Sequence, residues 1–366
     1  MTKSVVTKPQ HGKIHRDREP FERLLEPVRW PLREVKHCYR DSLLSTSYSE
    51  ISDEILLPGQ PQERIARAIG HESIRDIAEY MQGLQGKWFR PAVLLLSADL
   101  FGPIPPGAIS VAAALELIHN ATLIHDDIID EAETRRGQRA VWKRCGSSAT
   151  VLMGDLLYAK AFELTTAHGD IRIQRVIAQA TSRMCQGELH QLEWAGDVTT
   201  TEAEYLQVIC DKTARLMAAC AQCGGMLAGA AEEGLDRLRR FGLHLGMAFQ
   251  IADDVLDYVA DPEQLGKSVG NDAAHGKVTL PLIHHLAQGN EPESALAAMR
   301  GDNGRKTEDL TEALRSTGSI DYAMDIARKY AERAKACLDE LEPFGAQRQK
   351  IEHLKRLADF VVHRRY

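Results

Sequence analysis

The chain has 366 residues, enough to bury a sizeable core. With 44% hydrophobic and 27% charged residues it has the composition of a folded globular protein, which excludes fibrous and disordered classes. A net charge of −7 argues against nucleic acid as the main partner. The first 20 residues lack the apolar core of a secretory signal, and no uninterrupted apolar run reaches the roughly 18 residues of a spanning helix. Seven scattered cysteines read as reduced thiols of a cytoplasmic protein. Cys220 and Cys223 have CxxC spacing, but their Ala-rich helical setting and the lack of a second ligand pair make them buried helix cysteines rather than a redox or zinc pair.

Residues 1–20 are polar and without periodicity and read as a disordered tail; 21–366 read as one all-helical domain. Phe21 to Leu57 is a helical lead-in broken by Pro27 and Pro31, and Pro58-Gly59-Gln60-Pro61 is a turn. Ile65 to Leu84 is helical, and Lys87 and Arg90 flank the start of the next helix, with Pro91 in its first turn. Cations at a helix start, beside free N–H groups, suit a phosphate. After the loop Gly102 to Gly107, a helix rich in strong helix formers leads into Asp126-Asp127-Ile128-Ile129-Asp130, followed by Arg135 and Arg136.

On that helix Asp126 and Asp130 share a face, with Asp127 beside them. Carboxylates packed this tightly repel unless a cation joins them. Oxygen-only ligands suit Mg²⁺, which takes one or two carboxylates and completes its shell with substrate phosphates. Arginine forks match phosphate oxygens. An acidic run followed by basic residues is more often a solvated helix end, but a second copy changes the weighing: Asp253-Asp254-Val255-Leu256-Asp257, with Gln250 one turn earlier. Two such triplets suggest two helices facing each other across a cavity. Between them, helices are expected at Gly146 to Leu164 (carrying a buried Asp155), Ile171 to Leu192, and Glu202 to Ala221, the last capped by Thr201 and Glu204. Lys212 in that apolar helix needs a partner such as a diphosphate. Val259 to Leu280, with Lys267 and Lys277, fits a flap closing over phosphates, and Gln288 to Glu308 a polar surface connection. Asp321 to Tyr366 is an amphipathic helical tail.

Taken in order, these motifs, with Gly154-Asp155, Gln186-Gly187-Glu188, Asp211-Lys212-Thr213 and Gly276-Lys277, resemble those of the trans-isoprenyl diphosphate synthases (polyprenyl synthetases), from about Lys87 to Arg365. Gln85 and Trp88 depart from that family's usual Gly and Arg. The resemblance implies an all-α, isoprenoid synthase-type helical bundle around a deep central cavity, acting as a homodimer. It implies a 1′-4 head-to-tail condensation of isopentenyl diphosphate onto an allylic (farnesyl or geranylgeranyl) diphosphate. It further implies three Mg²⁺ ions held by Asp126, Asp130 and Asp253, supported by Asp127, Asp254 and Asp257. Arg135, Lys212, Lys267 and Lys277 would meet the allylic diphosphate, and Thr213 and Gln250 the carbocation. Lys87, Arg90, His119 and Arg136 would hold the isopentenyl diphosphate.

Ala121, Thr122 and Ile118, below Asp126, are not aromatic, so a long product of about C30–C50 is expected at roughly one helix turn, 5.4 Å, per isoprene unit. Such a product is insoluble, and its release would involve detergent or a membrane surface. A geranylgeranyl (C20) synthase, a non-catalytic partner subunit and a terpene cyclase are the competing readings. Complete acid motifs weigh against the partner subunit, and the second DDxxD against the cyclase.

Overall fold

Gly and Pro divide this chain into helices, and apolar periodicity packs them. The computed structural model describes residues 21–44, 71–84, 86–259, 276–292 and 307–364. After a single turn at Phe21–Leu24 come α1 (Arg29–Leu44), α2 (His71–Gly83), α3 (Phe89–Asp99) and α4 (Gly107–Ile129). A two-stranded hairpin, β1 (Thr134–Arg135) and β2 (Gln138–Arg139), precedes α5 (Val141–Cys145), α6 (Ser147–His168) and α7 (Ile171–Glu193). Then follow α8 (Glu202–Ile209), α9 (Arg215–Leu227), α10 (Glu232–Val259), α11 (Leu280–Ala287), α12 (Thr307–Ser316), α13 (Ser319–Asp339) and α14 (Arg348–His363). One continuous apolar core runs from Phe21 to Val362.

The central helix is α4. Every residue from Val111 to Ile118 is buried, so it is apolar all round, as a helix surrounded by others must be. It packs on α1, α3 and α6. Counted over its whole length, α4 is long and apolar enough to cross a membrane, which the search for an uninterrupted apolar run missed because Glu116 interrupts it. More than half of that stretch lies inside the bundle, as in the core helix of a globular protein.

Three expectations are corrected. Pro31 does not break the lead-in; it lies in the first turn of α1, where its missing N–H costs nothing. The helix expected over Glu202 to Ala221 is interrupted by one π-helical turn, Cys210–Ala214, between α8 and α9. Asp155 is exposed; its neighbour Gly154 is the buried residue, pressed against His125. The capping box is present, Thr201 accepting from Glu204 N–H while the Glu204 carboxylate accepts from Thr201 N–H at 2.8 Å. Cys220 and Cys223 are buried on α9 as free thiols. The turn at Pro58-Gly59-Gln60-Pro61, the expected helix from Ile65 to residue 70, the tail 1–20, most of Gln288 to Glu308, and Lys267 lie outside the described residues.

Close approach of two helices positions the site. Gly242 and Gly246 lie one turn apart on α10. A Cβ on Gly242 would sit 2.6 Å from Met217 O and 2.7 Å from Ala218 Cα, both backbone atoms of α9. One on Gly246 would sit 2.5 Å from Ala214 Cα. The next residues on this i+4 stripe are Gln250 and Asp254. Backbone cannot move aside for a side chain, so Gly242→Val is expected to lower stability by about 3 kcal/mol, the upper end for an overpacked core. The measurement is a fall in the urea midpoint at unchanged slope.

Candidate active site

A cavity of about 960 Å³ opens between α4, α7, the π-helical turn and α10. Its wall carries Asp126 from α4, Glu188 from α7, Lys212 and Thr213 from the π turn, and Gln250 and Asp253 from α10. Lys87, Arg90, Glu116, His119, Arg135 and Arg136 line it as well. Of the two acid motifs' first carboxylates, both therefore face one space, although they lie 127 residues apart in sequence.

The middle aspartates do a different job. Asp127 is 1% exposed and accepts from Arg135 Nε at 2.9 Å and from a second nitrogen of the same guanidinium. Asp254 is buried and accepts from Gln250 Nε2 at 2.7 Å and from Tyr205 OH at 2.6 Å. Gln250 Oε1 in turn accepts from Thr213 OH at 2.8 Å. A chain from Tyr205 through Asp254 and Gln250 to Thr213 thus fixes which way the Gln250 amide faces. Asp127 and Asp254 do not line this cavity, and Asp254 faces a smaller adjoining pocket with Gln250 and Lys277; Asp257 is half-buried one turn beyond Asp253.

The remaining acids meet cations of the chain itself. Asp130 Oδ2 accepts from Lys277 Nζ at 2.9 Å, and Asp253 Oδ1 from Arg364 Nη2 at 2.6 Å. Lys212 Nζ lies 3.9 Å from Asp126 Oδ2 and 2.5 Å from Glu188 Oε2. Burial raises the Asp126 carboxyl to about 7, Lys212 opposing and Glu188 and Asp130 adding to the shift. Among the described residues no group of three or more His, Cys, Asp or Glu stands in metal-holding geometry. The donor set still fits a hard divalent cation: oxygen-only side chains face the cavity, each beside a positive group, and such ions use one or two carboxylates with the rest of the shell from phosphate and water.

A second basic group lies beside the acids. Arg90 is half-buried, and its Nε, itself buried, has no hydrogen-bond partner among the described residues. Burial, together with Arg90, Arg136 and Arg135, pushes His119 well below its usual value, so it is neutral. Burial also depresses Lys87, with Arg364 adding to the shift. Glu116 lines the same space with Oε2 unpartnered, its carboxyl raised by burial. The backbone is left-handed at three non-glycine residues here: Trp88 at the entrance to α3, and Glu131 and Arg136 after the acid motif. Arg136 and Gly137, at φ 52° and 75°, form the two-residue turn of the β1–β2 hairpin, which presents Arg135 and Arg136 on either side of a tight bend.

Sequence reasoning missed Arg364. Its side chain is 9% exposed, and its guanidinium lies 3.8 Å from the Phe249 ring centre and donates to Phe249 O at 2.9 Å. Nothing but its basic character in the tail could have flagged it. Thr122 lines the cavity, but Ala121 and Ile118 do not: both are fully buried in the core. The apolar lining around Thr122 includes Leu123 of α4, Tyr158 of α6, and Met184, Cys185, Leu189 and Leu192 of α7.

This is the geometry of an enzyme that brings diphosphates together in an otherwise apolar, helix-lined cavity. The profile described as Polyprenyl synthetase matches residues 71–317. The chain is 40% identical over 271 residues to an octaprenyl diphosphate synthase of Escherichia coli, covering 73% of this chain and 84% of that one. It is 34% identical over 306 residues to a geranylgeranyl diphosphate synthase of Methanosarcina mazei, covering 81% and 91%. A polyprenyl synthase from Caulobacter crescentus, solved with calcium and isoprenyl diphosphate, superposes with TM-score 0.80 at 33% identity, covering 96% of this chain and all of that one. The chain belongs to the polyprenyl synthetase family; it is a trans-prenyltransferase with the isoprenoid synthase helical fold.

The raised Asp126 carboxyl has a consequence for stability without metal. Its folded value, about 7, exceeds the ordinary 3.8, so between these values the folded state holds more protons. Stability therefore falls as pH climbs from about 4 to about 7 and levels off above. Asp126→Asn removes the ionisation. In chelator-treated protein its melting temperature should exceed that of the parent by a few degrees at pH 8, with the difference shrinking as pH falls toward 4.

Proposed function

We propose that the protein condenses isopentenyl diphosphate head to tail (1′-4) onto an allylic diphosphate, farnesyl or geranylgeranyl, to give a long all-trans polyprenyl diphosphate of about C30–C50. The observation that carries this reading is one cavity with Asp126 and Asp253 on its wall, a basic subsite beside them and an apolar wall beyond. Relatives named for octaprenyl and decaprenyl products support the length, and the geranylgeranyl synthases among them keep C20 as the alternative.

Asp126, Asp130 and Asp253 are assigned to hold Mg²⁺, up to three ions with their neighbours, which when bound would neutralise charge growing on the leaving diphosphate. Lys212, Arg135 and Lys277 bind that diphosphate, and Lys267 is assigned with them. Thr213 and Gln250 present oxygens to the allylic cation without attacking it, because the Thr213 hydroxyl donates to the Gln250 amide oxygen, which is too weak a base to make it a nucleophile. Lys87, Arg90, His119 and Arg136 hold the isopentenyl diphosphate, and Arg364 completes that wall. The π bond of isopentenyl diphosphate attacks the allylic carbon, and the departed diphosphate takes the proton, so no protein base is required. Binding of one anionic group explains why Arg90, with a buried unpartnered Nε, is kept in the cavity.

A homodimer is the proposed assembly, supported by the exposed Val151, Leu152 and Phe162 of α6. Seven free thiols support a reducing compartment, the cytoplasm. Release of a long product is assigned to contact with a membrane surface.

The test is purified protein with Mg²⁺, farnesyl diphosphate and labelled isopentenyl diphosphate, followed by chain-length analysis. Products of C30 or longer are expected. A stop at C20 would keep the chemistry and discard the long-product reading, whereas folded protein giving no product would sink the catalytic one. Because Thr122, not Ala121, faces the cavity, Thr122→Phe is expected to shorten the product to C20 or less. Unchanged length would remove α4 as the ruler.

A further inference from the structure

Glu188 on α7 is a cavity residue that no role above absorbs, and its setting is unusually constrained. The preceding residue, Gly187, meets the π-helical turn backbone to backbone: a Cβ there would lie 2.6 Å from Lys212 N and 3.1 Å from Lys212 Cα. This contact delivers the Glu188 side chain to the Lys212 ammonium. Lys212 Nζ is 2.5 Å from Glu188 Oε2 and 3.9 Å from Asp126 Oδ2. Both side chains of the close pair are largely buried, with Lys212 24% and Glu188 13% exposed. Glu188 Oε1 is buried as well, with no hydrogen-bond partner among the described residues. One ammonium thus stands between two carboxylates and is drawn to Glu188.

We propose that Glu188 is a positioning residue that holds the Lys212 ammonium off Asp126, leaving Asp126 open to metal while Lys212 faces the leaving diphosphate. The proposal rests on Asp126 as a metal-holding residue. Physically it is a competition. A Lys–Asp pair in a partly desolvated cavity is a strong contact, several-fold stronger at an effective dielectric near 20 than in water. A cation that settles on Asp126 opposes a divalent ion at the same oxygens. Glu188 removes that competitor without removing the positive charge from the site. The buried Oε1 lets the carboxylate swing its charge toward Lys212 without breaking another bond.

The experiment is calorimetric titration of the full-length protein with Mg²⁺ in the presence of inorganic pyrophosphate, which reads binding without turnover. Glu188→Gln keeps the side chain's size and deletes its charge, freeing Lys212 to pair with Asp126. The Mg²⁺ midpoint is expected to rise about tenfold, at unchanged melting temperature. Glu188→Asp keeps the charge but withdraws it by one methylene, and is expected to shift the midpoint in the same direction. In a Lys212→Met background, Glu188→Gln is expected to cause no further shift, because contacting residues that act through one another are non-additive. Equal midpoints for parent and Glu188→Gln overturn the proposal. So does a full tenfold shift that persists without Lys212, since Glu188 would then act by itself. If the parent protein binds no Mg²⁺ with pyrophosphate, the metal-holding role of Asp126 falls first, and the positioning role with it.

Discussion

Repulsion among carboxylates at one cavity is the constraint on which this structure depends. Most acids of the two motifs are answered by a group of their own: Asp127 by Arg135, Asp130 by Lys277, Asp253 by Arg364, Asp254 by Tyr205 and Gln250. Asp126 has the weakest answer, an ammonium 3.9 Å away that is shared with Glu188, and it is the acid whose proton affinity is pushed up. A site that compensates its charges so completely, with long cationic side chains on cavity walls, stores a ready exchange. Metal and diphosphate together can replace those pairings charge for charge, freeing the lysines and arginines for the diphosphate oxygens.

That exchange demands positions fixed to within about half an ångström, and backbone contacts supply them. Gly242 and Gly246 let α10 lie directly on α9 and the π turn, which brings Gln250 onto Thr213 and Asp254 onto Tyr205. Gly187 does the same for α7 against Lys212. The π turn itself adds one residue to a helical turn and so rotates Lys212 and Thr213 together toward the cavity, a common use of such turns at functional sites. The site is a junction of helices that touch without side chains between them.

Periodicity and punctuation made the helices legible: Glu232–Val259 and Ile171–Glu193 end within a few residues of where their apolar stripes do. The paired DDxxD motifs made the cavity legible, because five-residue acid clusters at helical spacing point one way. What remained hidden depends on contacts between distant segments. Arg364 comes from the far end of the chain and looks like any basic tail residue until Phe249 and Asp253 are seen beneath it. The π turn has no composition signal, since Asp211-Lys212-Thr213-Ala214 would also sit in an α-helix. The Arg136-Gly137 turn, with a non-glycine residue at positive φ, runs against propensity. The residue strain there is sustained by strand pairing, Thr134 with Arg139, which a helical reading does not anticipate.

Of the three α4 residues expected to bear on product length, Thr122 alone lines the cavity. Thr122 and Leu123 both line the cavity, while Ala121, the residue before them, is fully buried and does not. Ala121 and Ile118 are fully buried in the core, where a larger side chain would meet packed atoms. The surface that an apolar chain would touch beyond Thr122 is shared between α6 and α7, through Tyr158, Met184, Cys185 and Leu189. Those two helices also carry the exposed apolar side chains Val151, Leu152, Phe162 and Leu189. Whatever covers those exposed side chains would therefore lie against the outside of the wall that lines the cavity.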